Sequence, residues 1–190
     1  MRAKHVVGFI GLSEAGKTTA AEYVREQLRS KRLELSIMRV SFADALKRMC
    51  EPLIEGLQLQ DKEEMRPIWQ FVGEYARSLD PAFWIKHLSC DRRVDLVLVD
   101  DVRYENELYW LYGLGGSLVI VDAFERLKEK VRKEKKYSHP SENLAAAGVY
   151  RPFAVEDGNA FRLDNNRTET DLEREIERNL IPWILKRIGK

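Results

Sequence analysis

The residues Gly11-Leu12-Ser13-Glu14-Ala15-Gly16-Lys17-Thr18 follow directly on the apolar run Val6 to Ile10 and satisfy the pattern G-x-x-x-x-G-K-[S/T] at every fixed position. No other feature constrains the fold so tightly. The pattern works where a buried strand ends in a glycine turn and a helix begins, because successive backbone N–H groups then face one concavity and the helix aims its positive end into it. Such a hollow takes a polyphosphate. Gly11, Ser13, Ala15 and Gly16 would line it, Lys17 would bridge β- and γ-phosphates, the Thr18 hydroxyl would ligate Mg²⁺, and Thr19 would add a hydroxyl for an α-phosphate. The competing reading is a strand-turn-helix junction that uses glycine only for packing.

The rest of the chain repeats the strand-helix alternation. Apolar runs suited to buried parallel strands occur at Val6 to Ile10, Leu35 to Val40, Leu96 to Val99, Leu118 to Val121 and, more weakly, Ala160 to Leu163. Helical spacing occupies Thr18 to Leu28, Ala43 to Met49, Ile68 to Leu79, Asn106 to Leu114 and Leu172 to Ile188. This order predicts an α/β fold, a five-stranded parallel sheet with helices on both faces in a three-layer arrangement. With 190 residues, one domain over 1–190 is expected, interrupted by a mostly helical insertion at 42–93 and a second insertion at 124–159.

Charge and cysteine content narrow the setting. A formal net charge of +1 supplies no global field for nucleic acid or an anionic membrane, so phosphate binding has to come from local arrangement. Cys50 and Cys90 lack disulfide-framework or zinc spacing, and the N-terminal apolar run is too short to span a bilayer. A cytoplasmic protein is the expectation.

Carboxylates stand at the end of the third strand, where Leu96-Val97-Leu98-Val99 runs into Asp100-Asp101-Val102-Arg103. A buried strand ending beside the phosphate loop is a natural place for Mg²⁺ or for the acceptor. Asp101 is the candidate metal and catalytic carboxylate there, and Arg103 would neutralise charge on a transferring phosphoryl group. Alternatively, Asp100 caps the following turn and Arg103 pairs with Glu105 or Glu107.

On a helix, Arg66, Gln70, Gly73 and Arg77 fall along one stripe. Two guanidiniums and an amide there could grip an acceptor phosphate and read a base edge, with Gly73 opening room, or they could form a solvated polar face. Trp84 fits the core of an anchor helix after Asp80-Pro81, and is carried among the acceptor-side candidates as a base-stacking surface.

Residues 126–136 read R-L-K-E-K-V-R-K-E-K-K, a local positive cluster in a neutral chain. Arg126 and Arg132 could close over ATP phosphates and exclude water, or the helix could be a solvated face with Glu129 and Glu134 in intrahelical pairs. His139 is a substrate contact or hinge rather than a required base. Glu142 would accept from an acceptor hydroxyl or cap a helix beginning near Ser141. Asn165, leaving the fifth strand, could line an adenine pocket. The apolar stripe Leu172, Ile176, Leu180, Trp183 and Ile184 is core or an oligomer contact, in the latter case building a homodimer.

The phosphate loop, Arg66-Pro67-Ile68-Trp69-Gln70-Phe71-Val72-Gly73, Arg77, Asp80-Pro81-Ala82-Phe83-Trp84-Ile85, Asp101-Val102-Arg103 with Glu105, and Ser138-His139-Pro140-Ser141-Glu142 occur in one order. Together they resemble the phage-type deoxynucleoside monophosphate kinases over most of the chain. The resemblance implies a P-loop nucleoside-monophosphate-kinase fold that uses ATP and Mg²⁺ to phosphorylate a deoxynucleoside monophosphate. It also assigns the 42–93 insertion, with Lys47, Arg66, Gln70 and Arg77, to the acceptor and the 124–159 insertion to a lid. This chain is shorter than the better-known phage enzymes between the second strand and the Arg-Gln-Gly helix, and Pro140 interrupts the His-to-Glu motif. A dephospho-coenzyme A or phosphomevalonate type of kinase on the same scaffold is the first rival, and a non-kinase nucleotide-binding ATPase the second.

Overall fold

The computed structural model describes residues 5–31, 34–89, 94–134, 137, 139–148, 150, 153, 155 and 157–189. Cys90, Arg93, Lys135, Lys136 and Ser138, which figure in the sequence reading, lie outside them. The chain divides into two compact units, Met1–Arg39 with Cys90–Lys190, and Val40–Ser89.

The first unit is built on a sheet in the order β2-β3-β1-β4-β5, from β1 (His5–Ile10), β2 (Ile37–Val40), β3 (Leu96–Val102), β4 (Ser117–Asp122) and β5 (Ala160–Asp164). β1 pairs in parallel with β3 and β4, and β4 with β5. The central strands are buried on both faces, which is why they read as unbroken apolar runs. Around them lie α1 (Lys17–Ser30), α5 (Glu105–Gly113), α6 (Phe124–Lys133), α7 (Pro140–Ala147), α8 (Glu169–Glu175) and α9 (Ile181–Arg187). The core joins Phe9, Leu98 and Val119 of the sheet to Val24 and Leu28 of α1 and to Ile176, Leu180 and Ile184 near the C-terminus. That places the C-terminal apolar stripe in the core.

The expected single C-terminal helix is broken into α8, a π-helical turn at Ile176–Leu180, and α9. Pro182 has no N–H to continue the α ladder, and the wider turn just before it absorbs the mismatch. β3 also runs further than its apolar residues, through both aspartates to Val102, so Asp100 is a strand residue rather than a turn cap.

The second unit contains α2 (Phe42–Gly56), α3 (Lys62–Leu79) and the short α4 (Phe83–Lys86). Both longer helices pass a proline, Pro52 in α2 and Pro67 in α3, where the sequence reading stops or starts them. Each begins at a capping side chain: the Ser41 hydroxyl accepts from the Ala43 N–H at 3.1 Å, and the Asp61 carboxylate accepts from the Glu63 N–H at 2.9 Å. Phe42, Ala45, Cys50, Gly73 and Trp84 are buried.

Candidate functional site

The loop between β1 and α1 is held in a shape that only glycine permits at two points. Gly16 sits in the left-handed region at φ 90, where a Cβ would fall 2.5 Å from the Asn165 amide nitrogen. At Gly11 a Cβ would lie 2.6 Å from the Val121 carbonyl oxygen. From the other side, Asn165 fastens the loop: it is buried, its side-chain amide donates to the Ala15 carbonyl at 2.7 Å, and its backbone N–H donates to Asp122 O at 2.7 Å. Asn165 therefore shapes the loop rather than presenting its own amide as a free base contact.

Lys17 is only 6% exposed, and its ammonium donates to the carbonyls of Gly11 at 2.8 Å and Leu12 at 2.7 Å. Burial, followed by the positive charge of Arg103, pushes its pKa down to about 7, against the opposing pull of Glu142, Asp101 and Asp100. Thr18 and Thr19 at the start of α1 are exposed.

Across from Thr18 stands Asp100, at 2% exposure. One carboxylate oxygen accepts from Arg39 at 2.6 Å, while the other is buried without a hydrogen-bond partner. Burial, then the charge of Asp101, raises the Asp100 pKa; the Thr18 hydroxyl and Arg39 pull it back. An orphaned carboxylate oxygen beside an exposed threonine hydroxyl suits a hard divalent cation such as Mg²⁺, which takes few protein oxygens and keeps its waters. Among the described residues no group of three or more His, Cys, Asp or Glu is gathered to hold a metal in an all-protein cage. Alternation along β3 buries Asp100 and leaves Asp101, the carboxylate singled out from sequence, half-buried; Asp100 is the one on which the Thr18 hydroxyl acts.

Arg103 follows β3, and its position is fixed by Glu107, a 1%-exposed carboxylate that accepts from the N–H groups of Arg103 at 2.7 Å and Tyr104 at 3.1 Å. The Arg103 guanidinium reaches a different partner, the carboxylate of Glu142. Glu142 is itself 3% exposed and accepts the Ser13 backbone N–H of the phosphate loop at 2.6 Å. It thus neither caps α7 nor stands free for an acceptor hydroxyl. The cap is His139, whose Nδ1 accepts from the Ser141 N–H at 3.2 Å.

The two arginines of α6 part company. Arg126 folds over the loop tip, donating from Nε to Asn165 O at 3.1 Å and from Nη2 to Glu14 O at 3.0 Å. Beside it Lys130 pairs with the Glu14 carboxylate at 2.7 Å. Arg132 does not come to the loop: one helical turn and a half further on, it is 73% exposed and paired with Glu129. Thr19, Arg126, Asn165, Gly16 and Leu172 line an open cavity of about 270 Å³ at the start of α1.

In the second unit, Arg66 is held by both oxygens of Glu63 at 3.0 and 3.1 Å, Gln70 is half-buried and Lys47 is exposed. Arg77 donates to the Gly73 carbonyl at 3.2 Å. The space above Gly73 is taken: a Cβ there would meet Leu46 at 3.3 Å and Arg77 at 3.4 Å, so this glycine lets α2 approach α3 instead of opening a pocket. Trp84 is 2% exposed, and its indole N–H donates to the same Gly73 carbonyl at 3.0 Å. Its ring is core, not a stacking platform, because no face of it is left open to a base.

Arg39 has no role in the sequence expectations, and Glu107 enters them as a partner for the Arg103 side chain, whereas it takes the Arg103 backbone N–H instead. Arg39 interrupts the apolar pattern Ile37-Met38-Arg39-Val40, and Glu107 lies four residues after Arg103 in the first turn of α5. A charged residue inside an otherwise apolar strand is a usable signal for the first.

No protein-family model matches the chain. It is 29% identical over 149 residues to a protein of Acanthamoeba polyphaga mimivirus whose assignment as a deoxynucleotide monophosphate kinase is itself provisional, a match covering 62% of this chain and 73% of that one. Among solved structures it is similar to a gluconokinase from Sinorhizobium meliloti, with a TM-score of 0.51 at 12% identity over 100% of this chain and 96% of the other. It is also similar to Kti12 of Chaetomium thermophilum, solved with ADP-AlF3, with a TM-score of 0.50 at 15% identity over 96% and 98%. The fold is that of the P-loop kinases. No helix among the described residues is long and apolar enough to cross a membrane.

Proposed function

We propose that the chain transfers the terminal phosphoryl group of ATP to the 5′-phosphate of a deoxynucleoside monophosphate, in line and without a covalent enzyme intermediate. The observation that carries the reading is the convergence of the loop at 11–18, the exposed Thr18 hydroxyl and the orphaned Asp100 oxygen at one end of the sheet. The similarity to the mimivirus protein and the motif order support the acceptor class.

In this reading Lys17 leaves the carbonyls of Gly11 and Leu12 for phosphate oxygens, whose charge restores its proton. Thr18 and Asp100 would hold Mg²⁺, with Asp101 close by; the cation, when bound, neutralises the oxygens of the β- and γ-phosphates. Arg103 faces the charge that spreads over the transferring group, and Arg126 fixes the loop tip over the nucleotide. The adenine side is assigned to the cavity lined by Thr19, Arg126 and Asn165. Arg66 and Arg77 are the residues assigned to the acceptor phosphate, with Gln70 and Lys47 beside them; for Arg66 this requires exchanging Glu63 for a better anion. The setting we propose is the cytoplasm, where ATP and reduced thiols such as Cys50 coexist.

A coupled assay of ADP release across the four deoxynucleoside monophosphates tests this. Acceptor-dependent turnover with at least one of them is expected. Turnover with none, in protein that binds Mg·ATP, would overturn the acceptor class; including dephospho-coenzyme A and phosphomevalonate in the same screen would then identify a rival class.

A further inference from the structure

The Glu142 carboxylate occupies a place that a ligand oxygen would take. It accepts the N–H of Ser13, the third residue of the phosphate loop, at 2.6 Å, pairs with Arg103, and lies 3.4 Å from the Ser141 hydroxyl. A carboxylate with 3% exposure, held by a backbone amide, a guanidinium and a hydroxyl, has the contacts that proteins give to a phosphate oxygen. The cation beside it is turned inward in the same way, since Lys17 spends its donors on the carbonyls of Gly11 and Leu12. The free loop is thus closed by its own side chains, with Glu142 as the anion.

We infer that the Ser13 amide and the Arg103 guanidinium form an anion subsite on the rim of the phosphate loop, which Glu142 fills in the free protein and yields to a phosphoryl oxygen when nucleotide binds. One N–H cannot serve two anions, and a carboxylate and a phosphate at hydrogen-bonding distance of the same guanidinium repel. Occupancy by one therefore excludes the other. The side chain is carried by α7, an eight-residue helix begun by the His139 cap and ended at Gly148 in the left-handed region, so a change of side-chain rotamer or a shift of this short helix releases it. Glu142 then acts as a competing internal ligand, and the apparent affinity for polyphosphate is the intrinsic affinity reduced by the fraction of molecules in which Glu142 has left.

The inference rests on the proposed function only as far as the loop at 11–18 binds a polyphosphate. Calorimetry on the full chain, with pyrophosphate and with ATP but no acceptor, tests it in the unmodified protein and in Glu142→Gln, Glu142→Ala and Glu142→Asp. Gln and Ala are expected to bind both probes about tenfold tighter than the unmodified protein, because they remove the competing charge. Asp keeps the charge but is shorter by one methylene and cannot reach Ser13, so it should also gain affinity; it guards against a folding defect in the other two. A purely structural role for Glu142 would make all three variants bind more weakly. Unchanged or weaker binding by the folded variants, with the unmodified protein binding ATP, overturns the inference and leaves the kinase reading standing. Loss of ATP affinity in the unmodified protein and in every variant overturns both.

Discussion

Replacing Gly16 by alanine probes the phosphate loop through two separable strains. A Cβ at φ 90 costs about 1–2 kcal/mol from its clash with the local backbone. The same atom would stand 2.5 Å from the Asn165 amide nitrogen and push it off the Ala15 carbonyl, which it now meets at 2.7 Å. Losing that buried hydrogen bond costs about 1–2 kcal/mol more. Stiffening of the unfolded chain returns roughly 0.5–1 kcal/mol, leaving a net loss of about 2–3 kcal/mol. For a chain of this size that lowers Tm by about 5–10 °C. Thermal unfolding followed by circular dichroism reads it directly. In the double variant Gly16→Ala with Asn165→Ala the clash is gone while the backbone strain remains, so the two changes should couple favourably by about 1 kcal/mol. A Tm within about 1 °C of the parent for Gly16→Ala, or strict additivity in the cycle, would refute the idea that Asn165 and the glycine define each other's space.

Lys17 titrates near 7 in the folded chain against 10.5 when unfolded, so between those values the unfolded state holds a proton that the folded state lacks; stability should rise with pH across that window, and urea titrations near pH 7 and pH 9 should show the rise vanish in Lys17→Met. Arg126→Ala should weaken ATP binding roughly tenfold by freeing the loop tip from α6, whereas Arg132→Ala, at an exposed side chain paired with Glu129, should change it by less than about threefold in the same calorimetric titration. Trp84→Phe removes the indole N–H bond to Gly73 and should cost about 1–3 kcal/mol of stability, measured by chemical denaturation; no loss would mean that the bond does not hold α3 in place.

Several parts of the site could be read without coordinates because their physics is local. The loop at 11–18 needs its glycines, lysine and threonine in a fixed spacing, and a strand before and a helix after, all within one stretch of chain. Strands β1, β3 and β4 are legible for the same reason: burial on both faces leaves nothing but apolar residues to find. The boundaries of α2 and α3 were not, since Pro52 and Pro67 argue locally against helices that packing between α2 and α3 nonetheless sustains.

The parallel sheet, the phosphate loop and its Lys17-Thr18 pair can thus be read from the chain alone, because periodicity and spacing are properties of neighbouring residues. Folding was needed to bring Asp100 beside Thr18, to carry Arg126 and not Arg132 to the loop, and to lay Glu142 on the Ser13 amide. Those outcomes depend on pairs up to 129 positions apart, Ser13 with Glu142, and such pairs meet only once the strands have fixed which loops lie at the same end of the sheet.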